Sequence, residues 1–79
     1  MKFQNDKELY QVIGLNIKKY RESAGLTQAQ LSEQLRISLS YLSKIEASGC
    51  DKSVSLSILN HIANVFDLDI STFFEKEVE

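Results

Sequence analysis

The chain contains no proline, three glycines (14, 25 and 49), one cysteine and one histidine in 79 residues. Each shortage excludes something. Without proline and with so little glycine, the turn punctuation a β domain needs is missing, and no alternating strand-like runs occur. The lone Cys50 permits no internal disulfide and points to a reducing, cytoplasmic setting. Cys50 and His61 by themselves supply neither a metal site nor a Cys–His nucleophile pair, and His61 reads as an ordinary helix residue. Acids are scattered and no glycine-rich phosphate loop exists, so no cofactor and no enzyme activity are expected. No apolar run approaches the ~18 residues of a membrane span. The opening MKFQNDKELY lacks the apolar stretch of a signal peptide.

What remains is an all-α chain short enough to read as a single domain over residues 1–79, burying roughly 60 to 65% of its unfolded surface. Its net charge of −2 is unevenly spread. Lys2 and Lys7 balance Asp6 and Glu8 in the first stretch. Residues 18–52 carry Lys18, Lys19, Arg21, Arg36, Lys44 and Lys52 against Glu22, Glu33, Glu46 and Asp51, an excess of cations. Residues 53–79 set Lys76 against Asp67, Asp69, Glu75, Glu77 and Glu79. The asymmetry permits a nucleic-acid face in the middle of the chain but does not establish one; on charge alone, ordinary solvated helix faces are the default reading.

Five helices follow from periodicity and caps. Leu9, Ile13, Ile17, Tyr20 and Ala24 form one stripe, predicting a first helix over 9–24 that ends at Gly25. Thr27 with Gln30 reads as a capping box for a second helix over 28–36, burying Leu31 and Leu35. Ser38 caps a third over 39–47. After the loop SGCDKS, Ser55 caps a fourth whose apolar face is Leu56, Leu59, Ile62, Ala63 and Phe66. Asp69 caps a short fifth containing Ile70, Phe73 and Phe74.

On a helical wheel, Leu42, Ile45 and Glu46 of the third helix fall on one side, and Ser40, Ser43, Lys44 and Ala47 on the other. Tyr41 lies at the border. Small side chains, hydroxyls and one ammonium suit entry into a DNA major groove, where bulk would hold the helix axis away. The same face is also compatible with a plain polar surface.

The segments IGLNIKKYRESAGLTQAQLSEQLRISLSYLSKIE and VSLSILNHIANVFDLDISTFF resemble the Cro-type, lambda-repressor-like helix-turn-helix family over about residues 13–74. The features that carry the likeness are Ile17 and Arg21, GLTQ at the turn, Leu31 and YLSKIE. The resemblance implies a five-helix DNA-binding domain with the helix-turn-helix at residues 28–47. It implies a phosphate contact for Gln28, and base contacts near the start of the third helix from Ser38, Leu39, Ser40 and Tyr41. Lys44 matches a further base or phosphate position. Ser43 and Ser48 are candidate phosphate donors, and Lys52 falls in a loop that touches the DNA backbone in this family. Arg21 and Glu46 match a structural ion pair between the first and third helices.

Several positions depart from the family's pattern. Arg36 stands where glycine is usual, which demands either a strained turn or a differently shaped one. Ser32 stands where alanine is usual, and its hydroxyl is expected to bond back to a carbonyl. Leu39 replaces a common glutamine and suggests contact with a thymine methyl. The loop after Glu46 is longer than usual.

Ile70, Phe73 and Phe74 crowd the last short helix, and Ile58 and Val65 form a second edge on the fourth, a surplus of apolar surface that suggests a partner. Any one of these residues reads by default as core; together they put a partner interface at Ile70, Phe73 and Phe74. The resemblance implies that the partner is a second copy in a two-fold homodimer, placing two reading helices about 34 Å apart on double-stranded DNA. The expected function is a transcriptional regulator of the phage-repressor or restriction-modification controller kind, bound to a short palindrome. The rival is a protein-interaction module, antitoxin-like or adaptor, on the same fold. No membrane and no small-molecule ligand are expected.

Overall fold

The computed structural model describes residues 2–47 and 54–76. The described residues form four α-helices, α1 (Asp6–Ser23), α2 (Gln28–Leu35), α3 (Leu39–Glu46) and α4 (Leu56–Phe66), then a 3-10 turn at Ile70–Phe74. The expected fifth helix is therefore one tight turn. ISTFF is short and rich in β-branched and aromatic residues, all weak helix formers, and Asp69 makes no side-chain cap to it. Two of the carbonyls at its end are instead taken by the buried Asn16 of α1, whose Nδ2 donates to Phe73 O and Glu75 O, each at 2.8 Å.

Helix α1 begins three residues earlier than its apolar stripe suggests. Asn5 accepts from the Glu8 N–H at 2.9 Å, and Glu8 in return accepts from the Gln4 N–H at 2.6 Å. That second bond, helped by Lys76 nearby, holds the Glu8 carboxyl below its ordinary pKa. The other three α-helices start at the predicted caps. Thr27, Ser38 and Ser55 each accept from the backbone N–H three residues on, and Gln30 closes the box by accepting from Thr27 N–H.

The first, second and fourth helices end alike. Leu26 N–H returns to Arg21 O, Ile37 N–H to Ser32 O and Leu68 N–H to Ala63 O, across the left-handed residues Gly25, Arg36 and Asp67. Ala24 thus sits exposed past the end of α1, outside the stripe predicted to bury it. Arg36 takes the strained alternative, with φ 58° and ψ 42°. A left-handed L residue with a Cβ is disfavoured by ~1 to 2 kcal/mol, partly offset in the unfolded chain, where glycine has more freedom to lose. Replacing Arg36 by glycine is expected to raise stability by about 0.5 kcal/mol, a melting-temperature gain of a few degrees by circular dichroism.

The core gathers one stripe from each element: Ile13 and Ile17 of α1, Leu31 and Leu35 of α2, Leu42 and Ile45 of α3, Leu59, Ile62 and Ala63 of α4, and Phe73. Helix α1 packs on α3 and the 3-10 turn, and α2 on α3 and α4. Tyr20 meets the Phe73 ring edge-on with centroids 5.8 Å apart. Phe73, expected at a dimer interface, is wholly inside the protein's own core, while Ile70 and Phe74 are half-buried beside it. Leu56, expected inward, stands at the first position of α4 and is 70% exposed; a helical side chain leans toward the N-terminus, and at that position no turn precedes it. Among the described residues no helix is long and apolar enough to cross a membrane.

Candidate nucleic-acid interface

Helices α2 and α3 are each eight residues long, too short to stand alone, and are held by what they bury. Leu42, Ile45 and Glu46 turn α3 onto the core, and this fixes its opposite side outward. Ser40, Ser43 and Lys44 are exposed there, Leu39 is 48% exposed at the helix start, and Tyr41 is half-buried against the core. Ser38 is exposed too; its Oγ accepts from Tyr41 N–H at 3.0 Å, which leaves its hydroxyl proton free to donate to a phosphate or a base. Ser48 and Lys52 lie outside the described residues.

Behind α3 lies a buried polar hub. Arg21 Nε donates to both carboxylate oxygens of Glu46, at 2.9 and 3.2 Å, and Nη2 donates to Oε1 at 3.0 Å. Arg21 Nη1 also donates to Leu26 O at 2.8 Å, so one guanidinium ties α1, the turn into α2, and α3. The Glu46 bonds hold the Arg21 guanidinium above its ordinary pKa. Burial on this scale stabilises only with near-complete pairing, and no buried side-chain polar atom among the described residues lacks a partner.

Gln28 is half-buried at the first position of α2 and donates from Nε2 to Glu46 Oε1 at 3.1 Å. Thr27 occupies the N–H of Gln30, leaving those of Gln28 and Ala29 at the positive end of the helix. Ser32 is buried, and its hydroxyl donates to Ala29 O at 2.9 Å, so the polar group causes no deficit at the helix crossing.

Sequence reasoning passed over Gly14. A Cβ built there would lie far inside contact distance of the Ile45 carbonyl oxygen, with Ile45 C at 3.3 Å and Glu46 Cα at 3.5 Å. The absence of a side chain is what lets α1 approach the backbone of α3. The available signal was a glycine in a helix interior, where it costs about 1 kcal/mol relative to alanine and so asks for a reason. Asn16 was likewise missed; a polar residue on the buried side of a helix was its only sign.

The outward small-residue face of α3 is braced by α1 through Gly14 and the Arg21–Glu46 pair. The helix-turn-helix family (HTH_3) matches residues 17–73. The chain belongs to the helix-turn-helix family. It is 31% identical over 68 residues to the HTH-type transcriptional regulator SinR of Bacillus subtilis (strain 168) and, to the same extent, to that of Bacillus licheniformis. Each match takes in 86% of this chain and 60% of the relative, so the chain spans less than two thirds of those regulators. In helix-turn-helix terms, α2 and α3 are the paired helices, and α1, α4 and the 3-10 turn are the scaffold.

Proposed function

We propose that this chain is the DNA-reading part of a transcriptional regulator, which inserts α3 into the major groove of a short palindromic operator and acts as a homodimer. The observation that carries the reading is the outward face of α3. Ser40, Ser43 and Lys44 are exposed while Leu42, Ile45 and Glu46 anchor the helix from behind. Hydroxyls and an ammonium at this spacing meet base edges and phosphates without holding the helix off. Leu39, largely open at the N-terminal turn, offers an apolar contact for a thymine methyl. Gln28 and the N–H groups beside it offer a phosphate contact one helix earlier. The names of the SinR relatives support the regulatory role. For the two-fold contact the reading retains Ile70 and Phe74, which are partly exposed, and drops Phe73.

The experiment is selection of bound sites from a random duplex pool, followed by fluorescence anisotropy on the selected sequence. Log affinity is expected to fall linearly with log salt, by about 0.9 for each phosphate neutralised. Lys44→Ala should weaken the selected site about tenfold and random duplex little. Equal loss on both would reduce Lys44 to a phosphate contact.

Leu15 and Leu56, 49% and 70% exposed, favour a second reading in which the fold holds a protein partner. Absence of any duplex binding at about 50 mM salt would favour that reading, because non-specific contacts are strongest there.

A further inference from the structure

The one acidic group of the helix pair that is buried also touches the residue offered to DNA. Glu46 lies on α3, and its Oε1 accepts from Nε2 of Gln28, the first residue of α2. Arg21 grips both oxygens of the same carboxylate, so it has no freedom to rotate. We propose that Glu46 is a positioning residue for DNA: its carboxylate fixes the Gln28 amide so that the remaining N–H is presented to a backbone phosphate. The inference rests on the DNA-binding reading and goes beyond it by assigning a role to a group that DNA never touches.

A glutamine amide has a donor side and an acceptor side of nearly equal shape, and rotation by half a turn exchanges them. An ionised carboxylate only accepts, and so does a phosphate. Between two such neighbours the amide has one satisfactory arrangement, with Nε2 toward both and one hydrogen for each. Glu46 imposes that arrangement before DNA arrives, so less side-chain freedom is lost on binding. Because the carboxylate belongs to α3, it also sets the phosphate contact of α2 in register with the base-reading face.

Removing the carboxylate together with its buried counter-ion tests this. R21M with E46L leaves no unpaired charge and takes away the acceptor that holds the Gln28 amide, which is then free to turn its donor away from the phosphate. Affinities of wild type, Q28A, the R21M/E46L pair and the triple variant on the selected duplex form a cycle. The R21M/E46L pair is expected to lose about fivefold in the wild-type background and less than about twofold in the Q28A background. A merely structural brace would lose the same factor in both, and that result overturns the proposal. So does a Q28A variant that binds as tightly as wild type. A wild-type chain that binds no duplex brings down the DNA reading itself, a separate outcome. Where the R21M/E46L pair does not fold, the side-chain amide protons of Gln28 in the wild-type protein decide by nuclear magnetic resonance. One protected proton in the free protein and two in the complex support the assignment, and any other pattern overturns it.

Discussion

Gly14→Ala is expected to destabilise the protein by about 2 kcal/mol or more, although helix propensity alone predicts the opposite sign. Gly14 lies in the interior of α1, where alanine stabilises a helix by about 1 kcal/mol relative to glycine. Against this, the added methyl meets backbone, the Ile45 carbonyl, which no side-chain rotation can move aside. Relief requires α1 and α3 to separate. Separation loosens the packing of Ile13 and Ile17 against Leu42 and Ile45, and it pulls Arg21 away from Glu46. Overpacking of this kind costs ~3 kcal/mol or more where backbone must shift, so the steric effect exceeds the propensity gain. Thermal unfolding by circular dichroism should show a midpoint lower by roughly 10 °C for a domain of this size. An unchanged or raised midpoint would mean that α1 and α3 do not approach as closely as described. The same variant should bind the selected duplex more weakly even where it is folded, because α3 is displaced from its support.

The features legible in the sequence are those with local causes. Thr27, Ser38 and Ser55 were readable as caps because the hydroxyl and the N–H it accepts lie three residues apart on the chain. The α3 wheel separated Leu42, Ile45 and Glu46 from Ser40, Ser43 and Lys44 because 3.6-residue periodicity needs no knowledge of the rest of the fold. Long-range effects were not readable. The spacing at 70–74 predicts an α-helix and cannot show the tight turn, whose end is held by Asn16, 57 residues from Phe73. A stripe crowded with Ile70, Phe73 and Phe74 likewise cannot reveal which ring packs against Tyr20. Leu56 fits the stripe of α4 by spacing, but spacing does not say where the core stops beneath the helix. At the candidate site, the residues facing outward came from pattern and resemblance. The contact that connects them, from Gln28 to Glu46, depends on how two helices cross.

Arg21→Ala is expected to remove about 3 to 5 kcal/mol, a large share of the total stability of a 79-residue chain, for which ~4 to 12 kcal/mol is typical. The loss comes less from the attraction forfeited than from what is left behind. Glu46 is 4% exposed and, among the described residues, would keep only the Gln28 Nε2 hydrogen bond for a full negative charge. Denaturant melts at neutral pH measure the loss directly. A second variant separates burial from pairing: R21M with E46L replaces both ions by apolar groups of similar length and should recover most of the loss, since no unpaired charge remains. An R21A midpoint within a few degrees of wild type at neutral pH would reduce the pair to a solvent-screened contact worth under about 1 kcal/mol. In that case α3 would owe its outward presentation to Leu42, Ile45 and the close approach at Gly14 alone.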